Sequence, residues 1–503
     1  MDSQQAYDEL IRRIWEGRLL GSCAELLGWD ERTYMPPRGV THRGEQMALL
    51  ARLCHEMLTD PRIGELLAAV EGSALVQDAD GPVAANVREI RRAYDRAVKV
   101  PKALVAELAR TTTEAQRVWQ EARASSSFAA FEIWLEKIVR LKREEAAAVG
   151  YKGVPYDALL DEYETGATTA EVTRVFADLQ AELAPLAAAI AQSKRRPRTD
   201  ILDREYPIER QQVFGREAAA AIGFDFNAGR LDVTTHPFCS GIGPGDCRLT
   251  TRYNAHHFNE AFFGVLHEAG HGIYDQGLDP AHFGTPAGSA CSLGIHESQS
   301  RLWENQVGRG RPFWEYFYPR AREAFSTALN DVSADDFLFA INDVRPSFIR
   351  VEADEATYNL HIVLRFELEQ ALIAGDLKVK DVPGAWNDKF RKLLGLTPPD
   401  DARGCLQDIH WSGGGIGYFP TYTLGNLYAA QFMEQARQDL GDLDADFRRG
   451  EFGRLKMWLN EKVHRPGQRW RPSELCRRVT GRPLSPKPLL DYLRRKYTPL
   501  YGL

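Results

Sequence analysis

The sequence has no long apolar run and no excess of positive charge, and we expect no secretory leader. No uninterrupted apolar stretch reaches the roughly 20 residues that a membrane-spanning helix needs, so we expect no association with a membrane. Acidic residues outnumber basic ones, 70 to 63, and the net charge of −7 argues against a general nucleic-acid binder. The N-terminal stretch is amphipathic and carries acidic residues early, unlike a signal peptide.

Cysteine pairing motifs are also missing. The seven cysteines are scattered, odd in number and without a CxxC pair. This usage is typical of reduced thiols in a cytoplasmic protein, which is the location that we expect. Cys239 and Cys247 flank a turn and are close enough in sequence to touch, but a disulfide between them is not favoured.

Helical periodicity covers most of the chain. Apolar residues recur at steps of three and four through residues 1–230 and again through 255–503. Between them, residues 231–254 contain two β-rich runs around a Gly- and Pro-rich centre, which predicts a β-hairpin with a long loop. The sequence therefore predicts a mainly helical single domain with one helical lobe (1–230), a hairpin (231–254) and a second helical lobe (255–503).

The segment FGVLHEAGHGIYDQG, residues 263–277, contains two histidines four residues apart. On a helix at about 100° per residue, His267 and His271 lie about 40° apart, so both imidazoles can face one point, with Glu268 beside it. Two nitrogen ligands on one helical turn with a neighbouring carboxylate are typical of zinc hydrolase sites. The alternative is a set of ordinary polar residues on a solvated face. The opposite face is an apolar stripe of Phe258, Phe262, Val265, Leu266, Ala269 and Ile273.

A zinc site needs a third protein ligand. The metzincin extension requires Gly at 274 and His at 277, but the sequence has Tyr274 and Gly277. The other common solution is a carboxylate from a following helix, and GIHESQSRLWENQ offers Glu297 and Glu304, seven residues apart and therefore on one face. An ion pair with Arg301 is the alternative role for Glu297, and spacing does not choose between the two glutamates.

Six short motifs occur in order between residues 236 and 411. They are HPF (236–238), DCRLT (246–250), HEAGH (267–271), HESQ (296–299), IRVEAD (349–354) and GCLQDIHW (404–411). One such motif would mean little, but six in order are specific. Together with WDERTYMPP near residue 29 and GYFPTY at 417–422, they resemble the carboxypeptidase Taq family of metallocarboxypeptidases.

The resemblance implies a ligand set and a mechanism. His267, His271 and Glu297 would be the metal ligands, in the helical lobe 255–503, and Glu268 the general base and acid for a metal-activated water. The metal would be zinc, although cobalt or manganese also fits two histidines and one glutamate. The resemblance further implies a largely helical, two-lobed fold with a deep groove, similar to neurolysin-like peptidases, and a homodimer.

Peptide hydrolysis also requires side chains that stabilise the oxyanion beside the metal. His410, Tyr418 and Tyr422, around the Gly-rich segment WSGGGIGYFPTY, are the candidates. For His410, a packed and hydrogen-bonded histidine next to Trp411 is an equal alternative. For the two tyrosines, the alternative is that they only hold the glycine loop in place.

A carboxypeptidase needs a cation for the free C-terminal carboxylate of its substrate. The resemblance makes Arg350 the strongest candidate, because the family motif IRVEAD places it beside the groove, and Arg248, in the hairpin, is the second. An ion pair with Asp354, four residues further along a helix, is the alternative role for Arg350. The same helical spacing predicts one polar stripe lining a wet cleft, formed by Arg350, Asp354, Thr357, His361 and Arg365.

The hairpin offers an exposed strand edge that can receive an extended peptide through main-chain hydrogen bonds, which predicts broad specificity. His236 and Phe238 would lie at the rim of this edge, and a structural role for HPF is an equal alternative. We therefore predict a zinc-dependent carboxypeptidase acting on peptides with a free C-terminus. The alternatives are an oligopeptidase with the same metal site and a peptide-binding protein whose metal site is vestigial.

Overall fold

The computed structural model describes all residues, 1–503, which contain twenty-one α-helices and three short strands, joined by loops and by 3-10 and π-helical turns. The helices are α1 (Ser3–Thr33), α2 (Val40–Leu58), α3 (Pro61–Val70), α4 (Pro82–Lys99), α5 (Lys102–Ala124), α6 (Phe128–Val149), α7 (Pro155–Tyr163), α8 (Thr169–Gln192), α9 (Ile208–Ile222), α10 (Phe258–Gly277), α11 (Leu293–Arg301), α12 (Arg311–Ala324), α13 (Ser326–Leu329), α14 (Ala334–Ile341), α15 (Tyr358–Ala374), α16 (Val382–Leu394), α17 (Pro420–Leu440), α18 (Leu443–Arg448), α19 (Gly453–Leu459), α20 (Pro472–Thr480) and α21 (Lys487–Tyr501). The strands are β1 (Gly229–Val233), β2 (Cys239–Gly243) and β3 (Asp246–Thr251). The predicted mainly helical fold with one small sheet is confirmed. None of the helices has the length and apolar character that crossing a bilayer requires.

The chain divides into two compact units, and each is assembled from three separate segments. Unit 1 comprises Met1–Val98, Arg198–Ile341 and Phe432–Arg482. Unit 2 comprises Lys99–Pro197, Asn342–Gln431 and Pro483–Leu503. This division does not follow the predicted boundary between residues 230 and 255, because each unit takes helices from both halves of the sequence.

Helix α10 is central to unit 1, where it packs against α9, α11 and β3. Its predicted apolar stripe is buried. Phe262 lies 5.2 Å, between ring centroids, from each of Phe258, Phe214 of α9 and Trp314 of α12. Burying a side chain of this size contributes about 1.5–3 kcal/mol. The face that carries Glu268 is buried as well, so α10 is enclosed on both sides.

The sheet differs from the predicted hairpin over 231–254. β2 and β3 are antiparallel and joined by a tight turn at Pro244 and Gly245, so the Gly-rich centre of the segment is itself a strand. β1 pairs in parallel with the other edge of β3, which gives the order β1-β3-β2. The prediction of a single hairpin with a long loop was wrong because the glycines of β2 have low β propensity, and here tertiary packing overrides that propensity.

Helix α15 is the corresponding central element of unit 2, in contact with α6, α7, α8 and α16. The predicted helical stripe through Arg350 and Asp354 was wrong, because Arg350–Glu352 forms a separate 3-10 turn and α15 begins only at Tyr358. The remaining members of that stripe are fully buried and do not face water: Thr357, His361 and Arg365.

Candidate functional site

His267 and His271 on α10 and Glu297 on α11 converge within unit 1. The Nε2 atoms of His267 and His271 lie 3.7 and 3.4 Å from Oε2 of Glu297. One ligand atom from each residue lies within 4.8 Å of the other two. Because zinc binds nitrogen and oxygen at about 2.0–2.1 Å in a tetrahedron, its ligand atoms are about 3.3 Å apart. The spacing and the donor set of two imidazoles and one carboxylate therefore fit a divalent metal ion.

Gly270 allows α10 and α11 to approach this closely. A Cβ atom at this position would lie 2.6 Å from the carbonyl oxygen of Gln299 and 2.6 Å from Cα of Ser300, both backbone atoms of α11. Real Cβ atoms do not come this close to backbone, so any side chain here would push α11 away from α10. Gly270 thus determines how near Glu297 comes to the two histidines.

Glu297 and Glu304, the two candidates for the third metal ligand, both contact His267. Glu297 faces its Nε2 atom, whereas Nδ1 donates a hydrogen bond of 2.9 Å to Oε2 of Glu304. Glu304 lies on a π-helical turn, Leu302–Val307, that directly follows α11. The alternative role of Glu297 is also present, because Arg301 Nε donates to its Oε1 atom at 2.7 Å. One oxygen of Glu297 is thus paired with arginine while the other faces the histidines.

A second chain of contacts supports His271. Its ring lies 4.6 Å, between centroids, from that of His296, and the Nδ1 atoms of the two rings face each other. His296 Nε2 in turn donates a 3.0 Å hydrogen bond to Oδ1 of Asp275, one turn beyond His271 on α10. Sequence reasoning missed both supporting residues. Two features of the sequence could have indicated them: His296 directly precedes Glu297, and Asp275 lies four residues after His271.

Burial sets the protonation of the groups around this site. It raises the pKa of Glu268 to about 7 and lowers the pKa of His271 to about 4, which keeps this imidazole in the neutral form that binds metals. Burial also opposes ionisation of Glu304, but Arg301 and the hydrogen bond from His267 outweigh it and lower the pKa of Glu304 to about 2. A carboxylate whose pKa is near 7 suits a group that both accepts and donates a proton.

Arg350, in unit 2, is buried and held on three of its nitrogen atoms. Its Nε and Nη2 atoms donate to Oδ1 of Asp408 at 3.0 and 2.7 Å, and Nη1 donates to the hydroxyl of Tyr358 at 2.8 Å. The alternative ion pair with Asp354 was wrong. Asp354 instead accepts hydrogen bonds from the backbone N–H groups of Arg345 and Thr357 and from the Thr357 hydroxyl. Thr357 is the residue directly before α15.

Asp408 is shared between two guanidinium groups. Its other oxygen, Oδ2, accepts a 2.7 Å hydrogen bond from Nε of Arg365 on α15. Burial disfavours the carboxylate, but Arg365 and Arg350 outweigh that effect and hold the pKa of Asp408 far below its usual range. The three ionised groups carry one net positive charge in a buried position. Asp408 was not among the predicted site residues, although it lies two positions before His410 in GCLQDIHW.

His410, Tyr418 and Tyr422 come together in unit 2. Nε2 of His410 lies 3.1 Å from the hydroxyl of Tyr422, and its ring is 5.2 Å from that of Tyr418. Burial lowers the pKa of His410 to about 4, so the imidazole is neutral. The Gly-rich loop beside them is held by Glu369, which sequence reasoning missed.

Glu369 is buried and accepts three hydrogen bonds. The donors are the hydroxyl of Tyr156 at 2.6 Å, Nε1 of Trp411 at 2.8 Å and the backbone N–H of Gly417 at 3.0 Å. Burial raises the pKa of Glu369 to about 7 in spite of these donors. The carboxyl group therefore fixes both ends of the loop from Trp411 to Gly417.

The remaining predicted residues lie in and near the sheet of unit 1. Arg248 donates two 2.9 Å hydrogen bonds to Asp246, and its guanidinium lies 4.2 Å from the centre of the Trp29 ring. The backbone N–H of Phe238 donates to the hydroxyl of Thr250, and its carbonyl oxygen accepts from that hydroxyl and from the Thr250 N–H. His236 is exposed. β1 and β2 are the edge strands of the sheet.

Comparison with known proteins decides the family. The sequence matches the family described as "Carboxypeptidase Taq (M32) metallopeptidase" over residues 9–497. The chain belongs to this family. Its class of enzyme, a metallocarboxypeptidase that hydrolyses peptide bonds, is therefore confirmed, as is the family resemblance drawn from the six motifs.

Relatives of this M32 peptidase match it from end to end. "Thermostable carboxypeptidase 1" of Thermus thermophilus is 51% identical, and the match covers 100% of both chains. "Carboxypeptidase 1" of Bacillus subtilis is 39% identical over 99% of both chains. The crystal structure of the M32 carboxypeptidase from Deinococcus radiodurans R1 superposes with a TM-score of 0.96 at 41% identity, covering 99% of this chain and 100% of that one. The M32 chain thus shares its fold with the Deinococcus radiodurans enzyme over 99% of its length.

Proposed function

We propose that this M32 peptidase is a zinc-dependent carboxypeptidase that releases C-terminal amino acids from peptides with broad specificity. The observation that carries the proposal is the cradle of His267, His271 and Glu297, with buried Glu268 next to the first histidine. Its donor set fits zinc best, and cobalt or manganese fits the same two nitrogens and one oxygen.

Glu268 is proposed as the general base and acid. When bound, a divalent ion supplies Lewis-acid activation of water and of the scissile carbonyl. The carboxylate of Glu268 accepts a proton from the attacking water and then donates it to the nitrogen of the leaving amino acid. The raised pKa of this buried group supports both transfers near neutral pH.

Arg350 is proposed to hold the free carboxylate of the substrate. A guanidinium has five N–H groups, and the contacts with Asp408 and Tyr358 use one each on Nε, Nη1 and Nη2. One N–H on Nη1 and one on Nη2 take no part in these contacts, and the terminal N–H groups of a guanidinium can bind a carboxylate with two hydrogen bonds. Arg350, Arg365 and Asp408 together carry one net positive charge, which also favours binding of a negatively charged carboxylate at Arg350.

Three further side chains are proposed to act on the peptide backbone. His410, Tyr418 and Tyr422 are the candidates for stabilising the oxyanion, and the contact between His410 and the Tyr422 hydroxyl supports a joint role. For broad specificity, we propose main-chain hydrogen bonding of the substrate at a strand edge of the small sheet, with His236 and Phe238 at its rim. Arg248 is the second candidate for a carboxylate anchor.

Paired substrates test the proposal. The purified protein, with its metal content measured, is incubated with an unblocked peptide and with the same peptide as its C-terminal amide. We expect single amino acids to appear in order from the free C-terminus and the amide to be a much poorer substrate. Equal cleavage of both, with internal fragments as products, would support the oligopeptidase alternative. A zinc-loaded protein with intact Glu268 that cleaves nothing in a broad peptide library would support the vestigial-site alternative.

The cellular location of the protein and its oligomeric state are also proposals. A cytoplasmic location is inferred from the cysteine usage, and a homodimer from the resemblance to the family. Sedimentation of the purified chain at several concentrations tests the second, because a dimer would give twice the mass of 56.6 kDa.

A further inference from the structure

Two cysteines and an aspartate of unit 1 lie together beside the small sheet. Sγ of Cys239 on β2 is 3.6 Å from Sγ of Cys247 on β3, and 3.8 Å from Oδ2 of Asp275 at the end of α10. One ligand atom from each of the three residues lies within 4.8 Å of the other two. None of these residues belongs to the cradle of His267, His271 and Glu297.

The strand register accounts for this meeting. Gly241 is opposite Cys247 in the β2–β3 pair, and Cys239 lies two residues before Gly241 and therefore on the same face. Gly241 also leaves room for the carboxylate, because a Cβ atom at this position would lie 2.6 Å from Oδ2 of Asp275. The glycine thus opens the space in which the two thiols and the carboxylate converge.

The separations match those between ligands of one metal ion. With zinc–sulfur bonds of about 2.3 Å in a tetrahedron, two thiolates are about 3.8 Å apart. Cys247 is 2% exposed, whereas Cys239 is only partly buried and gives an ion access from one side. The contact with Cys247, together with burial, holds the pKa of Cys239 well above its usual value, so the thiol is protonated when no cation is present.

We propose that Cys239, Cys247 and Asp275 form a second metal site, which binds a thiophilic divalent cation such as Zn²⁺. On binding, each thiol loses its proton to solvent and forms a sulfur–metal bond, and Asp275 contributes Oδ2. The other oxygen of Asp275 keeps its hydrogen bond from His296, whose ring lies against that of His271. The second site is thereby connected to the first by two side chains.

Cadmium and cobalt report on this site selectively. The full-length protein is stripped of metal, reduced with a phosphine and titrated with Cd²⁺ or Co²⁺ while its ultraviolet sulfur-to-metal absorption is measured. The histidine–glutamate cradle contains no sulfur, so it gives no such band. We expect one thiolate-bound ion per chain with two sulfur ligands, and absence of the band while both thiols are shown to be free and reduced would overturn the proposal.

Three variants, one of them a matched control, test whether the absorption band arises from Cys239, Cys247 and Asp275. Gly241→Ala keeps both thiols but displaces Asp275, and should weaken cadmium binding by about tenfold or more. Gly243→Ala, in the same strand, meets only the Phe283 ring at 3.4 Å and should bind as the unaltered protein does. Cys239→Ser should lose the band. A band that survives Cys239→Ser, or equal weakening by both glycine variants, would also overturn the proposal.

The first site provides the check on folding. Cys239→Ser and Gly243→Ala should bind zinc at the histidine–glutamate cradle as the unaltered protein does, which isothermal titration measures independently of sulfur absorption. Gly241→Ala should still bind this ion but more weakly, because Asp275 supports His271 through His296, so its folding is checked by its unfolding midpoint. If the unaltered protein instead carries a Cys239–Cys247 disulfide and binds no cadmium after reduction, the proposed site is wrong. That result would leave the proposed peptidase function untouched, since peptide release depends on the cradle.

Discussion

Glu304 holds His267 from the side opposite to Glu297. Its Oε2 atom accepts the hydrogen bond of His267 Nδ1 at 2.9 Å, while Nε2 of the same ring faces Glu297 at 3.7 Å. With its proton on Nδ1, the imidazole presents the lone pair of Nε2 to the cradle. The two glutamates that looked equivalent in the sequence therefore have different roles: one faces the metal position and the other fixes the ring.

Replacement of Glu304 tests this division. Glu304→Gln keeps the shape of the side chain but removes the charge that favours the Nδ1 proton, and should lower zinc affinity by about 10- to 100-fold. Competition with a chelator measures the affinity. Glu315→Gln, on α12, breaks an exposed ion pair with Arg448 of α18, serves as the control and should bind zinc normally. Unchanged affinity in Glu304→Gln would contradict the assigned role.

The close approach of α10 and α11 can be tested at one glycine. Gly270→Ala places a methyl group 2.6 Å from the backbone of α11, so Glu297 should move away from the histidines and zinc affinity should fall by at least about tenfold. Gly264→Ala, on the same helix, meets only Oγ1 of Thr251 at 3.7 Å and should have no such effect. If both variants bound zinc equally well, the helix spacing would not determine the site.

Loss of the proposed base should separate metal binding from turnover. Glu268→Gln leaves all three proposed ligands in place, so zinc content should be unchanged. The rate of peptide hydrolysis should fall by about two to four orders of magnitude, because the amide cannot accept the proton. Turnover is measured at matched zinc content, and a near-normal kcat would refute the role of Glu268.

Arg350 should matter mainly for substrates with a free C-terminus. In Arg350→Ala, Asp408 keeps its partner Arg365, so the fold should persist, but kcat/KM for the free-acid peptide should fall by about 100-fold, the equivalent of a charge-assisted bidentate contact. The residual cleavage of the C-terminal amide should change little. Arg345→Ala, at an exposed arginine of the same segment, is the control. Equal losses on acid and amide would make Arg350 a structural residue.

The raised pKa of Glu369 predicts that the stability of the protein depends on pH. Its pKa is raised from 4.5 to about 7 by burial, so the folded protein keeps a proton that the unfolded chain has released between these values. The free energy of unfolding should therefore decrease as pH rises from about 4.5 to 7, by up to about 3 kcal/mol from this group.

Glu369→Gln should remove that contribution. The free energy of unfolding of the unaltered protein minus that of the variant should therefore fall by up to about 3 kcal/mol from pH 4.5 to 7, measured by denaturant unfolding at several pH values. Other titrating groups cancel in the difference, because both proteins contain them. A difference that stays constant with pH would mean that the buried carboxyl group ionises normally.

Part of the site was readable from the sequence because its residues are close in the chain. The four-residue spacing of His267 and His271 sets their common direction on any helix, and the buried stripe from Phe258 to Ile273 follows from the same periodicity. The helical fold class likewise follows from local apolar patterns. The small sheet was predicted incompletely, because the glycines of β2 hide a strand that only its packing against β3 and α10 stabilises.

Contacts between distant segments required the tertiary structure. Spacing left Glu297 and Glu304 open as the third ligand, and the family resemblance, not the spacing, favoured Glu297. Only the approach of α11 to α10 at Gly270 shows that Glu297 faces Nε2 of His267 and Glu304 its Nδ1. The partner of Arg350 is Asp408, 58 residues away, and not Asp354, four residues away. Periodicity reports which face of a helix a residue occupies, but the choice among ionic partners depends on desolvation and on which charges folding brings within a few ångströms, and this information is not local in the chain.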